Sequence, residues 1–233
     1  MPSPTQRPLA GTAILFDLDG TLVDTAPDLV GALNGVLAEQ RLPALSLQTA
    51  RVMVGRGAKA LIEQGFSAAG RPLDEPDKPA LVERFIAIYL SRIADESRPF
   101  EGVSEALDQL ADAGAVLGVC TNKRTDLSLA LLDALDLTGR FAAVIGADHA
   151  PAPKPDARHL LTAIEAVGGQ AGRALMIGDS ATDIGAARAA RVPSVAVSFG
   201  YTEIAPADLG ADHLIEHFRD LPPLAGRLLA AGA

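Results

Sequence analysis

Short apolar runs that alternate with amphipathic stretches constrain the fold of this chain more than any other feature. Five such runs cover residues 12–16, 116–120, 142–145, 174–177 and 194–197, and residues 213–215 could form a sixth at an edge. Helix-forming stretches lie between or after them, at residues 103–113, 126–135, 158–167, 182–190 and 218–231. Strands that alternate with helices at this spacing form parallel sheets through right-handed crossovers. The pattern therefore predicts an α/β fold with a doubly wound, Rossmann-like parallel sheet.

One interval between these runs is too long for a simple crossover. About a hundred residues separate the first run from the second, whereas a parallel crossover needs only about a dozen. Residues 27–40, 58–68 and 79–93 in this interval have the spacing of amphipathic helices. We therefore predict a helical cap domain, residues 25–98, inserted into a core formed by residues 1–24 and 99–233. Both ends of the insertion would meet one edge of the core and form a two-stranded hinge.

Pairs of aspartates follow two of the predicted strands. Asp17 and Asp19 come directly after the first run, and side chains two residues apart on an extended segment point to the same side. Asp179 follows the fourth run, and Asp183 lies one turn into the next helix. Ligands of open α/β sheets bind beyond such strand ends, and hard divalent cations prefer carboxylate oxygens. Asp17 and Asp179 are candidate metal ligands, and Asp183 could hold them in place by hydrogen bonds. The simpler alternatives are that Asp17 and Asp19 only form a turn and that Asp183 only caps its helix.

Groups suited to binding an anion follow the same strands. Gly20 and Thr21 continue the first loop, where a glycine exposes backbone N–H groups. Thr121 and Asn122 end the second run, and Lys154 follows the third between two prolines that stiffen the backbone. These five residues are candidate ligands of phosphate oxygens. Each alone has a common alternative, because Thr and Asn often close strands and a single lysine is usually solvated.

Taken together, these residues resemble the four motifs of the haloacid-dehalogenase-like superfamily, and the resemblance covers nearly the whole chain. The first motif is matched by Asp17-Leu18-Asp19-Gly20-Thr21, the second by Thr121-Asn122, the third by Lys154 and the fourth by Gly178-Asp179 with Asp183. The predicted insertion is similar to the first type of cap in that superfamily. The chain departs from the pattern after the lysine, where it reads Pro155-Asp156-Ala157 instead of Pro-x-Pro.

The resemblance implies a Mg²⁺-dependent hydrolysis of phosphate monoesters. Asp17 would attack phosphorus and form an aspartyl phosphate, and Asp19 would act first as general acid and then as general base. Mg²⁺ would be held by Asp17, Asp179 and the backbone carbonyl of Asp19. Asp19 argues for phosphate chemistry, since dehalogenases of the superfamily need neither this acid nor Mg²⁺. A sugar-phosphate phosphatase, a mutase related to β-phosphoglucomutase and a non-catalytic, receiver-like module are the alternatives.

The cap is expected to determine which phosphate ester is bound. Gly55, Arg56 and Gly57 precede a predicted helix, and their N–H groups and guanidinium could bind a small carboxylate. The alternative is a glycine-rich helix entry with Arg56 in solvent. This segment resembles that of phosphoglycolate phosphatases, which implies 2-phosphoglycolate as substrate. A phosphonoacetaldehyde hydrolase would need a Schiff-base lysine in the cap, where Lys59 and Lys78 are more simply surface charges.

Charge and hydropathy limit the partners that we expect. The net charge of −9, without a basic stripe, argues against nucleic acid. No segment reaches the roughly 18 consecutive apolar residues that cross a bilayer, and residues 1–12 do not resemble a secretory leader. With a single cysteine, Cys120, the chain is expected in the reducing cytoplasm. We expect a small phosphorylated metabolite as its partner, and a monomer or homodimer.

Overall fold

Six parallel strands form the central sheet of the computed structural model, which describes residues 7–230. They are β1 (Ala13–Phe16), β4 (Val116–Cys120), β5 (Ala143–Ile145), β6 (Ala174–Gly178), β7 (Ser194–Val197) and β8 (His213–Ile215). Their order in the sheet is β5-β4-β1-β6-β7-β8, and each neighbouring pair is parallel. The predicted α/β fold is confirmed, and each predicted strand is found to within one residue at either end.

The strand order places a crevice between β1 and β6. In the register of the sheet, Ala13 of β1 lies opposite both Val116 of β4 and Ala174 of β6. The chain leaving β1 continues to β4 on one side, whereas the chain leaving β6 continues to β7 on the other. Loops that diverge from adjacent strands in this way leave room for a ligand at their carboxyl ends. The two strands that precede the predicted aspartates are the two that flank this crevice.

Helices cover both faces of the sheet. Neighbouring side chains of β1 point to opposite faces, so each face of this strand packs against its own set of helices. Ile14 and Phe16 pack in one buried cluster with α5 (Val103–Asp112), α6 (Thr125–Ala134) and α9 (Leu221–Ala230). Ala13 and Leu15 pack on the other face, against α7 (Ala157–Ala166) and α8 (Ala181–Ala190). Apolar residues at every position of β1 are what a strand buried on both faces requires.

The C-terminal helix differs slightly from its predicted range. It was expected to begin at residue 218, but a 3₁₀ turn, Phe218–Asp220, comes first and α9 begins at Leu221. Its predicted last residue, 231, lies outside the described residues. The other four helices of the core lie within one residue of their predicted ranges at either end.

Four helices lie between the two short strands β2 (Val23–Asp24) and β3 (Arg98–Pro99). They are α1 (Ala26–Glu39), α2 (Leu47–Arg51), α3 (Ala58–Ala68) and α4 (Lys78–Leu90). Their apolar sides form a second buried cluster, which also includes Leu127 and Tyr201 of the core. β2 and β3 pair antiparallel where the chain leaves and re-enters the core. The sequence did not predict α2. β2 and β3 lie where the two-stranded hinge is expected, but the domain limits 24/25 and 98/99 and the action of these strands as a hinge stay a prediction.

A buried carboxylate joins the two ends of this inserted segment. Asp28, in the first turn of α1, accepts hydrogen bonds from the Glu96 N–H (3.0 Å), the Ser97 N–H (2.7 Å) and the Ser97 hydroxyl (2.7 Å). The Arg92 guanidinium lies 3.2 Å from its other oxygen. Burial acts to raise the pKa of Asp28, but these hydrogen bonds outweigh burial and hold the pKa below its ordinary value. Asp28 therefore fixes where the segment returns to the core.

Candidate active site

Three buried carboxylates meet at the crevice between β1 and β6. Asp17 directly follows β1, and its N–H donates a hydrogen bond to the Ile177 carbonyl (2.9 Å). Asp179 directly follows β6, and Asp183 lies in the first turn of α8. One oxygen from each of these aspartates lies within 4.8 Å of the other two, and none of the three residues is more than 3% exposed. The structure thus brings together acids that are far apart in the chain.

Hydrogen bonds from four neighbouring groups hold Asp179 and Asp183 in place. The Thr21 hydroxyl donates to Asp179 Oδ1 (2.9 Å), and the Tyr201 N–H donates to Asp179 Oδ2 (2.7 Å). Asp183 Oδ2 accepts from the Ser180 hydroxyl (2.6 Å) and from the Ser180 N–H (3.0 Å), and the second of these bonds is part of a capping box at the start of α8. Both interpretations of Asp183 therefore apply, since it caps α8 and contacts the other site residues.

Gly20 is required by the turn that follows Asp19. Its φ is +86°, a conformation that other residues adopt only at a cost. A Cβ atom at this position would lie 2.5 Å from Asp179 Oδ2 and 2.8 Å from Tyr201 Cδ2. The Gly20 N–H donates to the Val23 carbonyl (2.9 Å). Gly20 thus permits a close approach to Asp179, and its own N–H is already bonded within the loop.

Lys154 places its ammonium group among the three carboxylates. Its Nζ lies 2.9 Å from Asp17 Oδ1 and 2.6 Å from Asp183 Oδ1, and it donates to the Cys120 carbonyl (2.6 Å). Lys154 is 3% exposed. Burial acts to lower its pKa, but Asp17 and Asp183 outweigh burial and raise it above the ordinary value. The lysine is therefore not a solvated surface charge, and the departure from Pro-x-Pro does not keep it away from the cluster.

Asn122 and His159 hold the backbone of Lys154. The Asn122 amide donates to the Lys154 carbonyl (3.1 Å) and accepts from the Lys154 N–H (2.8 Å), and His159 Nδ1 accepts from the same N–H (3.2 Å). Burial first, and then Lys154, lowers the pKa of His159 to about 4, so the ring is neutral. Sequence reasoning assigned no role to His159. The only signal was its position five residues after Lys154, in the first turn of the next helix.

The charges of the cluster do not balance without a cation. Three carboxylates face one ammonium group, and Asp17 Oδ1, although near Lys154, accepts no well-aligned hydrogen bond from the residues that the structure describes. Burial is the main cause that raises the pKa of Asp17 to about 7, and Asp183 contributes despite the opposing effect of Lys154. Burial, then Asp183 and Asp17, raises the pKa of Asp179 to about 8. A divalent cation bound by these oxygens would relieve the repulsion, so the donor set fits a metal.

Asp19 lies beside this cluster but its carboxylate has a different partner. Its Oδ1 and Oδ2 lie 2.9 and 3.2 Å from Lys123 Nζ. Lys123 is 7% exposed, and its ammonium lies 4.5 Å from the centre of the Tyr89 ring of α4. Burial acts to lower the pKa of Lys123, but Asp19 and Tyr89 outweigh burial and raise it. The carboxylate of Asp19 is not among the three clustered acids, and the resemblance assigns to the metal its backbone carbonyl instead.

Lys123 is a site residue that sequence reasoning missed. The feature of the sequence that could have identified it is its place directly after Thr121 and Asn122, at the end of a strand. The Lys123 N–H donates to the Thr121 hydroxyl oxygen (3.2 Å), which leaves the hydroxyl proton of Thr121 free to donate elsewhere. Of the five predicted phosphate ligands, Lys154 places its ammonium group beside Asp17, and Thr121 keeps its hydroxyl proton. Gly20, Thr21 and Asn122 are engaged in holding the loops and side chains around it.

A cleft opens beside Asp19, between the inserted helices and the core. Gly55 and Gly57 line this cleft, together with Asn122 and Lys123. Arg56 does not line it. Its side chain is 54% exposed, lies 3.5 Å from Glu203 and borders a neighbouring cavity. The structure thus places the two glycines of the predicted specificity segment near the site and the arginine outside it, and a role in specificity stays a prediction.

Within residues 7–230, no helix combines the length and the apolar character needed to cross a membrane. The surroundings of Cys120 agree with a structural role for this thiol, because it is buried and its pKa is raised by burial to about 12.

Comparison with known proteins shows similarity along almost the entire chain. Residues 14–197 match a family described as haloacid dehalogenase-like hydrolase. A phosphoglycolate phosphatase of Caulobacter vibrioides is 60% identical over 97% of this chain and 96% of its own length. An N-acetylmuramic acid 6-phosphate phosphatase of Pseudomonas aeruginosa is 36% identical over 93% of this chain and 96% of its own. The crystal structure of a predicted phosphoglycolate phosphatase from Haemophilus somnus has a TM-score of 0.84 at 28% identity, covering 93% of this chain and 98% of that one.

Proposed function

The chain belongs to the haloacid dehalogenase-like hydrolase family, and on this premise we propose that it is a Mg²⁺-dependent phosphatase converting 2-phosphoglycolate to glycolate and phosphate. One observation carries the chemistry. Asp17 is a buried carboxylate at the end of β1, and Lys154, Asp179 and Asp183 converge on it. The 60% identity to a phosphoglycolate phosphatase over nearly the full length supports the substrate.

Asp17 is the proposed nucleophile. Its carboxylate oxygen attacks phosphorus in line, a bond from this oxygen to phosphorus forms, and the bond from phosphorus to the ester oxygen breaks. The departing alkoxide takes a proton from Asp19 in its protonated form. The products of this step are glycolate and an aspartyl phosphate on Asp17.

Hydrolysis of the aspartyl phosphate restores the enzyme. Asp19, now a carboxylate, accepts a proton from a water molecule while the water oxygen bonds to phosphorus. The bond between phosphorus and the Asp17 oxygen breaks, inorganic phosphate leaves, and Asp17 is again a carboxylate. Asp19 suits both steps because it stands two residues from Asp17 and borders the cleft where the ester would lie.

A phosphate dianion needs positive charge before a carboxylate can approach it. Lys154 supplies one charge, held between Asp17 and Asp183, and the free hydroxyl proton of Thr121 can donate to a phosphate oxygen. Asp17, Asp179 and the Asp19 carbonyl would hold Mg²⁺, with Asp183 beside them. When bound, Mg²⁺ would neutralise phosphate charge and align the phosphoryl group with Asp17.

Thr21 and Asn122 act in this proposal by positioning other site residues. Thr21 donates to Asp179, and Asn122 fixes the backbone of Lys154. Both contacts are made by the protein alone, so the proposed site is organised before substrate binds. The reaction itself is proposed to take place in the cytoplasm, where a buried free thiol such as Cys120 stays reduced.

One relative of this chain suggests a second candidate substrate. The protein of Pseudomonas aeruginosa that is 36% identical to this chain is named for N-acetylmuramic acid 6-phosphate. Both esters could use the same core residues, because these recognise only the phosphoryl group. The choice between them depends on the cleft beside the inserted helices.

A phosphate-release assay with a panel of esters tests the proposal. In the presence of Mg²⁺ we expect repeated turnover of 2-phosphoglycolate at a higher kcat/KM than for N-acetylmuramic acid 6-phosphate or glucose 6-phosphate, and none with EDTA. Interconversion of sugar phosphates without phosphate release would instead identify a mutase, and a single phosphorylation without turnover would identify a receiver-like module.

Asp17→Asn tests the nucleophile, because it keeps the shape of the side chain and removes its charge. We expect turnover to fall by at least about 10⁴-fold in this variant. The matched control is Asp108→Asn on the exposed face of α5. Asp108 pairs with Arg140, whose guanidinium also donates to the Ser104 carbonyl. Substantial turnover by a folded Asp17→Asn protein would exclude Asp17 as nucleophile.

A further inference from the structure

The cleft beside Asp19 has the character of a site for a small, partly charged molecule. Its walls are largely apolar and come from both the inserted helices and the core, with Leu29, Leu61, Phe85 and Leu127 among the lining residues. Asp19, the proposed acid for the leaving group, borders it. The part of a phosphate ester that lies beyond the ester oxygen would therefore enter this cleft.

A carboxylate that enters such an apolar cleft needs a cation with little access to water. Three cations stand near it. Arg56 faces the neighbouring cavity and lies close to Glu203. Arg124 lines the cleft, but its side chain is 44% exposed and is held by two hydrogen bonds to Asp126. Lys123 is 7% exposed and lines the cleft with its ammonium group at the base, next to Asp19.

The hydroxyl of Tyr89 provides a second donor at the same place. Tyr89 is fully buried, lines the cleft and has its ring over the Lys123 ammonium at 4.5 Å. Its hydroxyl oxygen is buried, and no described residue makes a well-aligned hydrogen bond with it. Burial raises the pKa of Tyr89 to about 12, so the hydroxyl keeps its proton at neutral pH. A buried polar group without a partner is costly, and a ligand oxygen that accepts its hydrogen bond would remove the cost.

The chemistry of the proposed substrate matches these two donors. In 2-phosphoglycolate the carboxylate is separated from the ester oxygen by a single methylene group. The residue that gives a proton to that ester oxygen would be Asp19, and Lys123 Nζ is 2.9 Å from Asp19. When the ester oxygen lies close to Asp19, the carboxylate is therefore within reach of Lys123.

We propose that Lys123 and Tyr89 bind the substrate carboxylate and so determine the selectivity for 2-phosphoglycolate, an inference that rests on the proposed function. The ammonium group and the phenolic hydroxyl each donate to a carboxylate oxygen, while the apolar walls exclude water and make both bonds stronger. Tyr89 belongs to α4 of the inserted segment and Lys123 to the core. Binding of the carboxylate would thus join the two parts of the chain across the cleft.

The test compares 2-phosphoglycolate with ethyl phosphate, which has the same ester linkage and no carboxylate. Phosphate release with Mg²⁺ gives kcat/KM for both, and their ratio is the selectivity. Lys123→Met should lower both values, because Asp19 loses its partner, but should lower the selectivity by about 10- to 100-fold, the effect of a charge-assisted hydrogen bond. Tyr89→Phe keeps the ring over Lys123 and should lower the selectivity by about threefold to tenfold.

Arg124→Met is the matched control, since it removes a cation from the exposed rim of the same cleft. Its selectivity should stay within about twofold of the wild type. Equal losses for both substrates in Lys123→Met would mean that Lys123 only positions Asp19, and this would overturn the inference. If Lys123→Met does not fold, unchanged selectivity in Tyr89→Phe overturns it instead. A wild-type protein that does not prefer 2-phosphoglycolate to ethyl phosphate overturns the proposed function, and the inference with it.

Discussion

Binding of Mg²⁺ to the three clustered carboxylates should depend steeply on pH. In the metal-free protein, burial and mutual repulsion raise the pKa of Asp17 to about 7 and that of Asp179 to about 8. A carboxylate must lose its proton to ligate a metal, so Mg²⁺ competes with protons at this site. The affinity for Mg²⁺ is therefore expected to rise with pH through the neutral range, well above the pH at which an ordinary aspartate titrates.

The size of this effect follows from the two pKa values. At pH 6 the two groups together hold close to two protons, and at pH 9 they hold about 0.1. If both protons leave before Mg²⁺ binds, the Kd for Mg²⁺ should be on the order of 1,000-fold larger at pH 6 than at pH 9. Lys154 stays protonated throughout this range and adds no further dependence.

Isothermal titration calorimetry with Mg²⁺ alone can measure both the affinity and the number of protons released. Titrations at pH 6, 7.5 and 9, each in two buffers with different enthalpies of ionisation, separate proton release from metal binding. Asp17→Asn removes one of the titrating ligands and should weaken the pH dependence. Glu75→Gln changes an acid whose side chain is 79% exposed and should leave the pH dependence as in the wild type. A Kd that changes less than about tenfold between pH 6 and pH 9 would refute the reasoning.

Thermal unfolding gives a second measure of the same shifts. The pKa values of Asp17 and Asp179 are raised in the folded protein, whereas the unfolded chain loses these protons near the ordinary value of 3.8. The folded state thus binds more protons between about pH 4 and pH 8, and the metal-free protein should lose stability as the pH rises through that window. Saturating Mg²⁺ should reduce this loss, so its effect on Tm should be larger at pH 8 than at pH 6.

Three further predictions concern the residues that support the site. Asp28→Ala leaves buried donors without an acceptor and should destabilise the protein by about 3–5 kcal/mol in urea unfolding. The control Glu96→Ala removes the exposed partner of Arg92 and should destabilise it by less than about 1 kcal/mol. Equal effects of the two variants would contradict the argument. Gly20→Ala should lower the free energy of unfolding by at least about 1–2 kcal/mol and weaken Mg²⁺ binding. The control Gly139→Ala, where a Cβ meets open space, should change neither. Cys120 should resist iodoacetamide at pH 8 in the folded protein and react in urea, and fast alkylation of the folded protein would show that the thiol is accessible.

Much of the fold could be predicted because its signals are local. Apolar runs such as 116–120 and 174–177 show where strands begin and end, and the excess length between the first two runs shows where further helices must lie. The shortest elements give the weakest signals, and sequence reasoning missed α2. The five residues of α2 and the two-residue strands β2 and β3 are too short for any period to emerge, and the pairing of β2 with β3 exists only because the chain returns to its starting point.

The sequence by itself determined which polar residues stand at the carboxyl ends of the strands, since each follows directly from its own strand. Only the tertiary structure decided which partner each side chain takes. Asn122 bonds to the backbone of Lys154, Thr21 bonds to Asp179, and Lys123 reaches Asp19, 104 positions away in the chain. A repeating pattern reports the direction of a side chain relative to its own helix or strand, but contacts between distant residues depend on strand order and on how the inserted helices pack against the core.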